Sequence, residues 1–318
     1  MKMKHVFHAA LCAATLGTAL AGGEGWTQDF EAAKAEAAKE KESLLIDFTG
    51  SDWCGWCIKL NEEVFQEDAF KEGIKDKFVL VELDYPRDTS KLSEETQEQN
   101  AKLQEAYAIQ GFPTILLTDE EGRPFARTGY QEGGAEAYVK HLDELLKNRT
   151  TRDEAFEKAS HLEGPEKANA LISALDAMGL DDAVVGKFYG GVVDDIKAAD
   201  PEDTTGFVKE MEAKERYAGF ESKLNEFGQK GDHEGALSFT EETLKSGAFE
   251  GAEKQQIATI KAMILAQLGR FDDAATAFDE AKAVDPDSEM GQQIDGFKQR
   301  VAAMAEQGAE DHTGHDHD

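Results

Sequence analysis

Hydrophobic positions in the first half of the chain alternate between two periods. The run "SLLIDFT" at 43–49 is apolar and of strand length. "KFVLVELDY" at 77–85 sets Val79, Val81 and Leu83 against Leu80 and Glu82, a period of two that predicts a second strand. Around these runs the spacing is helical. "TQDFEAAKAEAAKEKES" is rich in Ala, Glu and Lys, with Thr27 or Asp29 available as a cap. Ile58, Leu60, Asn61, Val64 and Phe65 keep helical spacing, and a polar stretch predicts a helix over 93–107. "GFPTILLTDEEGRPFARTGY" reads as a hairpin: Pro113 opens one strand, Glu121-Gly122 turns the chain, and 124–128 returns. "GGAEAYVKHLDELLKN" closes the unit as a helix. Strands alternating with helices and ending in a hairpin predict an α/β fold, a mixed sheet with helices on both faces.

From Arg152 onward the strand signals stop and helical periodicity takes over. Ile257, Ile260, Ile264 and Leu268 form one apolar stripe, the mark of a core-facing helix. "GDHEGAL" at 231–237 recurs as "GRFDDAA" at 269–275, a separation in the range of helical-hairpin repeats. The α/β part is therefore expected over 22–150 and an all-α part over 151–305, with the boundary near 148–152.

The two ends carry different signals. "MKMKH" is a short basic start, followed by the apolar "VFHAALCAATLGTALA" and the small-x-small pattern Ala19-Leu20-Ala21. This is the pattern of an export signal, 1–21, cleaved before Gly22. The apolar run is shorter than the ~20 residues of a membrane-spanning helix, and Leu11 before Cys12 does not suit a lipoprotein signal. The expectation is export across the inner membrane to the periplasm as a soluble protein. The tail 306–318 ends "EDHTGHDHD" and puts His312, His315 and His317 among acids. Loose capture of Zn, Cu or Ni is open to such a tail, but no framework fixes the ligands, and a disordered, solvated segment is expected.

Signal cleavage changes the arithmetic. Of three cysteines, Cys12 would be discarded, leaving Cys54 and Cys57, a pair without a leftover thiol that suits an oxidising compartment. About 300 residues remain, room for two domains of about 100–200 each. Acidic residues outnumber basic ones 65 to 34, for a net charge of −31. Such a surface repels nucleic acid and anionic lipid and says nothing about chemistry.

The chemistry concentrates in "TGSDWCGWCIKL" at 49–60, where two cysteines three apart each follow a tryptophan. The spacing alone is compatible with a metal clip, a structural bridge or a working redox pair. In its setting the motif is more telling. With "WCGWC" after the strand "LLIDF" and "GFPT" before the strand "ILLTD", this part of the chain resembles the thioredoxin superfamily. With "FTGSDWCGWCIKL" and "LDYPRD" it is similar to the secreted bacterial thioredoxin-like branch.

That resemblance implies a thioredoxin fold and thiol–disulfide exchange with cysteine-containing protein substrates, without an organic cofactor. It makes Cys54 the nucleophile and Cys57 the resolving thiol. A cysteine in the first turn of a helix meets free backbone N–H groups and the positive end of the dipole, which favours thiolate. The resemblance also makes Pro113 a cis proline lying against the disulfide, with Phe112 beside it in the substrate groove. Asp47 corresponds to a buried acid behind the second cysteine that helps move its proton, although one extra residue separates it from Cys54. Trp53 matches an aromatic that packs beside the disulfide; Trp56 stands where relatives carry proline or histidine and offers substrate an apolar contact. A redox donor or acceptor is implied as partner, with a membrane-bound one among the candidates; the redox direction stays open.

Two readings of the cysteines compete with this one. Zinc needs four ligands, and after signal removal no further cysteine and no HxxxH pair exists to complete the set. A structural bridge across so short a loop gains little chain entropy. The helical part resembles tetratricopeptide repeats through Gly269, Ala274, Phe278, Ala281 and Pro286, with a weaker copy keeping Gly231 and Ala236 but carrying Thr243 in place of an alanine. Such modules bind peptides or partner proteins, so a non-catalytic scaffold is the alternative from another class.

Overall fold

A computed structural model describes residues 23 and 25–311, with side chains through 305. The segment expected to be an export signal, 1–21, and the tail histidines His312, His315 and His317 lie outside the described residues. The first strands and helices follow in the order β1 (Trp26–Thr27), α1 (Phe30–Glu40), β2 (Ser43–Thr49), α2 (Gly55–Leu60), α3 (Asp68–Ile74) and β3 (Phe78–Asp84). They continue as α4 (Glu94–Ala106), β4 (Thr114–Thr118), β5 (Pro124–Thr128) and α5 (Gly134–Ser160). Helix α2 runs on into one π-helical turn, Asn61–Phe65. The sheet order is β1-β3-β2-β4-β5, with β1 and β2 parallel to β3 and the β4–β5 hairpin antiparallel. This is the expected mixed sheet. The sequence reads as a loose start before residue 27; the structure adds β1 there, paired with Leu80 and Val81. Two residues carry no periodicity, and only the neighbouring strand edge makes them a strand.

Local signals account for most boundaries. Asp29 caps α1 by accepting the Ala32 N–H at 2.9 Å, and Ser93 caps α4 through the Thr96 N–H at 3.1 Å. Strand β2 is buried at all seven positions, as is β3. One face of the pair, with Leu44, Ile46, Phe48, Val79, Val81 and Leu83, packs on Phe30, Ala33 and Ala37 of α1 and on Tyr107. Each such buried side chain stabilises the fold by about 1.5–3 kcal/mol relative to exposure. The opposite face carries Leu45, Asp47 and Thr49 beside Leu80, Glu82 and Asp84, because neighbours along a strand point to opposite sides. Both faces of the pair are covered, as a sheet with helices on both faces requires, and Glu82 is 2% exposed.

The expected boundary near 148–152 lies inside α5, which runs unbroken to Ser160. Helices α6 (Gly164–Met178) and α7 (Asp182–Ala199) follow, and the first compact unit extends through Thr205. A buried polar node ties these helices to the hairpin. Asp119 is 1% exposed and accepts the Arg123 N–H at 2.9 Å, the Arg123 Nε–H at 2.9 Å and the Arg152 Nη1–H at 3.0 Å. Arg152 Nη1 also donates to the Tyr189 hydroxyl at 2.8 Å, and that hydroxyl donates to the Pro124 carbonyl at 2.7 Å. Phe188, next to it, stacks on Tyr107 with ring centroids 4.7 Å apart.

The second unit, from Gly206, is all helical: α8 (Phe207–Lys230), α9 (His233–Ser246), α10 (Gly251–Gln267), α11 (Phe271–Val284) and α12 (Glu289–Asp311). The recurring segments sit at equivalent places. Gly231 turns α8 into α9 and Gly269 turns α10 into α11, with φ of 66° and 73°, a left-handed conformation that favours glycine. Ala274, Phe278 and Ala281 are fully buried, and Ile257 and Ile264 join them in the interior.

Arg152→Ala would leave Asp119 buried with Arg123 as its remaining cation. The expected cost is about 3 kcal/mol, read as a lower urea midpoint at unchanged slope; a change under about 0.5 kcal/mol would contradict the node's role.

Candidate active site

Beyond Thr49 the chain crosses the end of the sheet in a loop, 50–53, that is bound to the end of β3. The Ser51 N–H and hydroxyl both donate to the Asp84 carboxylate, at 2.9 and 2.6 Å. The Tyr85 N–H donates to the Thr49 carbonyl at 2.8 Å, and the Trp53 indole N–H donates to the Tyr85 carbonyl at 2.8 Å. Asp52 accepts the Arg87 N–H at 2.9 Å, which holds its carboxyl below the usual range. The segment "LDYPRD" thus serves as the clamp for the cysteine loop. Gly50 completes it by close approach: a Cβ there would lie 2.5 Å from the Trp53 ring.

Cys54 is the N-cap of α2, with extended backbone angles, and Cys57 lies in the first turn. The two are joined as a disulfide, and the Cys57 N–H donates to Cys54 Sγ at 3.2 Å. Cys54 is 6% and Cys57 3% exposed. The Phe112–Pro113 bond is cis. Phe112 meets Trp53 edge-on at 5.6 Å between ring centroids and Tyr85 at 5.2 Å. On the other side Trp56, more than half exposed, lies against Tyr130, with the Lys59 ammonium 5.2 and 4.9 Å from the two ring centres. The surface around the disulfide is therefore aromatic, with the Lys59 cation at its edge.

Behind the disulfide lies a polar cavity of about 110 Å³, lined by Asp47, Glu82, Cys57, Asn61 and Glu62 among others. The extra residue after Asp47 does not remove it from the second cysteine: both line this cavity. Asp47 is 4% exposed, and its Oδ1 has no hydrogen-bond partner. Burial pushes its carboxyl well above the ordinary carboxylate range, and the neighbouring charges of Glu82 and Asp84 push the same way. Glu82, Asp84, Ser51 and Tyr130 are the site residues that sequence reasoning missed. Glu82 left a signal, a carboxylate inside an otherwise apolar strand run. Among the described residues no cluster of three or more potential metal ligands occurs, and no helix is long and apolar enough to cross a membrane.

A carboxyl that holds its proton more tightly folded than unfolded makes the folded state bind more protons, so stability falls as pH rises through that window. Asp47→Asn is accordingly expected to be more stable than the parent, by a margin that grows in urea titrations as pH rises above the ordinary aspartate pKa of about 4. A margin independent of pH would show that Asp47 titrates normally.

A family model described as a thioredoxin-like domain matches residues 30–146. Over 122 residues the chain is 34% identical to the disulfide bond reductase DsbH of Chlamydia pneumoniae, covering 38% of this chain and 73% of that protein. It is 30% identical over 129 residues to the thioredoxin-related protein DsbJ of the same organism, covering 38% of this chain but 37% of DsbJ. Among solved structures, a DsbH oxidoreductase is similar at 29% identity and a TM-score of 0.37, over 46% of this chain and 95% of that one. With the sheet, the cysteine-capped helix, the family model and the 34% identity to DsbH over 73% of its length in hand, the chain belongs to the thioredoxin-like family.

Proposed function

We propose that the chain is a thiol–disulfide oxidoreductase acting on cysteine-containing proteins after export to the periplasm. The observation that carries this reading is a disulfide set at a helix N-terminus, with Cys54 Sγ accepting the Cys57 N–H. Once the pair is reduced, the same N–H and the helix dipole favour a thiolate at Cys54. Relatives named for disulfide chemistry support the assignment, and the one named a reductase makes reduction of substrate the direction to test first.

In that direction the Cys54 thiolate attacks one sulfur of a substrate disulfide. A mixed disulfide forms, and the other substrate sulfur leaves as a thiolate. Cys57 then gives up its proton and attacks Cys54 Sγ, closing the Cys54–Cys57 bond and releasing the second substrate sulfur. Two electrons have passed to substrate, and a thiol donor must restore them. Asp47 is assigned the Cys57 proton. Pro113 and Phe112, with Trp53 and Trp56, form the walls against which an extended substrate segment lies. The exchange belongs to the part expected over 22–150, and recruitment of a protein partner to the helical part that follows.

Serine substitutions test the roles. With a glutathionylated peptide as substrate, Cys57→Ser should accumulate a mixed disulfide through Cys54 that thiol-reactive gel-shift reagents reveal, whereas Cys54→Ser should accumulate none. Both should lose at least about 100-fold in turnover. Turnover undiminished in both variants would sink the enzyme reading in favour of a scaffold.

A further inference from the structure

The tryptophan between the two cysteines is exposed yet held. Among the described residues five large hydrophobic side chains are exposed, and three of them, Trp53, Trp56 and Ile58, fall within six positions around the cysteines. On a chain with a net charge of −31, such a patch marks a surface that meets apolar groups. Its two indoles are fixed by different means. Trp53 donates its indole N–H to the Tyr85 carbonyl and meets Phe112 edge-on. Trp56 is fixed by a second element: its ring centroid lies 5.1 Å from that of Tyr130, which follows β5, at an angle of 41°. The Lys59 ammonium, one helical turn on, sits over both rings. The Tyr130 hydroxyl donates to Glu63 in the π turn at 2.7 Å, and Glu63 lies 3.8 Å from the Lys59 ammonium. The loop that carries Tyr130 is itself anchored. Gly129 approaches so closely that a Cβ there would lie 3.1 Å from the Pro113 carbonyl oxygen, and the Gly129 carbonyl accepts the Tyr138 hydroxyl at 3.1 Å. Tilted ring pairs and a cation over a ring face attract, so the indole is set before substrate arrives.

We propose that Tyr130 determines specificity in thiol–disulfide exchange: with Lys59 and Glu63 it sets the Trp56 indole as a preformed wall that selects polypeptide segments with an apolar side chain beside their cysteine. This rests on the exchange reading above. Tyr130 touches no reacting sulfur; it acts through Trp56 and is a positioning residue. An indole ordered in advance loses little rotamer freedom on binding, so the apolar contact is retained as affinity. Trp56 keeps 56% of its surface open for that contact, and covering it with an apolar flank is favourable in proportion to the area removed from water. A small polar flank leaves the indole wet and gains nothing from its being fixed. The selection therefore depends on the flank of the substrate cysteine, while the sulfur chemistry stays with Cys54 and Cys57.

Two readouts test this on the full chain. The first is the ratio of kcat/KM for two glutathionylated peptides that differ in carrying Phe or Ser on both sides of the cysteine; a ratio cancels any change in the reactivity of Cys54 itself. The parent should prefer the Phe-flanked peptide by about tenfold or more. Tyr130→Ala and Trp56→Ala should each bring the preference to within about twofold, and the double variant should lie no lower than Trp56→Ala, because Tyr130 acts through that ring. Tyr130→Phe, which keeps the ring and loses the Glu63 anchor, should fall between the parent and Tyr130→Ala. The second readout is nitrogen-15 relaxation of the indole N–H groups: Tyr130→Ala should mobilise Trp56 and leave Trp53 ordered, a pattern that general loss of structure would not produce. Should Tyr130→Ala fail to fold, Lys59→Met, which takes the cation from both rings, carries the same comparison. A parent that reduces both peptides alike, a preference that survives Tyr130→Ala, or a Trp56 equally ordered in both would overturn the proposal alone. A parent that reduces neither peptide would sink the exchange reading and the proposal with it.

Discussion

The redox end of the molecule depends on the register of two parallel strands. Pairing of β2 with β3 sets Asp47 opposite Glu82 and Thr49 opposite Asp84. From the second pair follows the clamp: Asp84 receives both donors of Ser51, and the loop that carries Trp53 into the cysteine turn is fixed to β3. From the first follows the pair of buried carboxyls under Cys57. A slip of one residue would turn both acids onto the face packed against α1, among Phe30, Ala33 and Ala37. The seven buried residues of each strand prevent such a slip, so the apolar face guarantees the polar one.

The site departs from what stability alone would select. An acid at Asp47, with an unpartnered oxygen and two neighbouring negative charges, opposes folding at neutral pH. Apolar packing on both faces of the sheet and the Asp119–Arg152–Tyr189 node supply the margin that tolerates it. Sites where local rules fail against a consistent background are where function concentrates. Here the failure lies directly behind a cysteine-capped helix.

Much of this was legible in the sequence. The periods of two and 3.6 gave the principal strands and helices, Thr27 or Asp29 marked the start of α1, and "WCGWC" with "GFPT" pointed to the fold. What escaped had physical reasons. Strand β1 is too short to show a period and exists through β3. The continuation of α5 past residue 150, and the packing of α7 through Phe188 and Tyr189, follow from tertiary contacts at Asp119 and Tyr107 that local propensity does not encode. Glu82 was passed over as a site residue because alternation along a strand cannot reveal which buried positions line a cavity. The paired glycines at 231 and 269 were informative because each occupies a left-handed helix turn in the second unit.

The claim on which the rest stands is that Cys54 and Cys57 cycle between disulfide and dithiol in the folded protein. Equilibration of the chain without residues 1–21 in glutathione and dithiothreitol buffers, followed by thiol trapping, tests it directly. The account predicts one reversible two-electron transition, with a potential nearer the roughly −270 mV of a reductant than the roughly −120 mV of a strong oxidant. A pair that stays oxidised or fails to return across the accessible range would contradict it and leave the bridge a structural one.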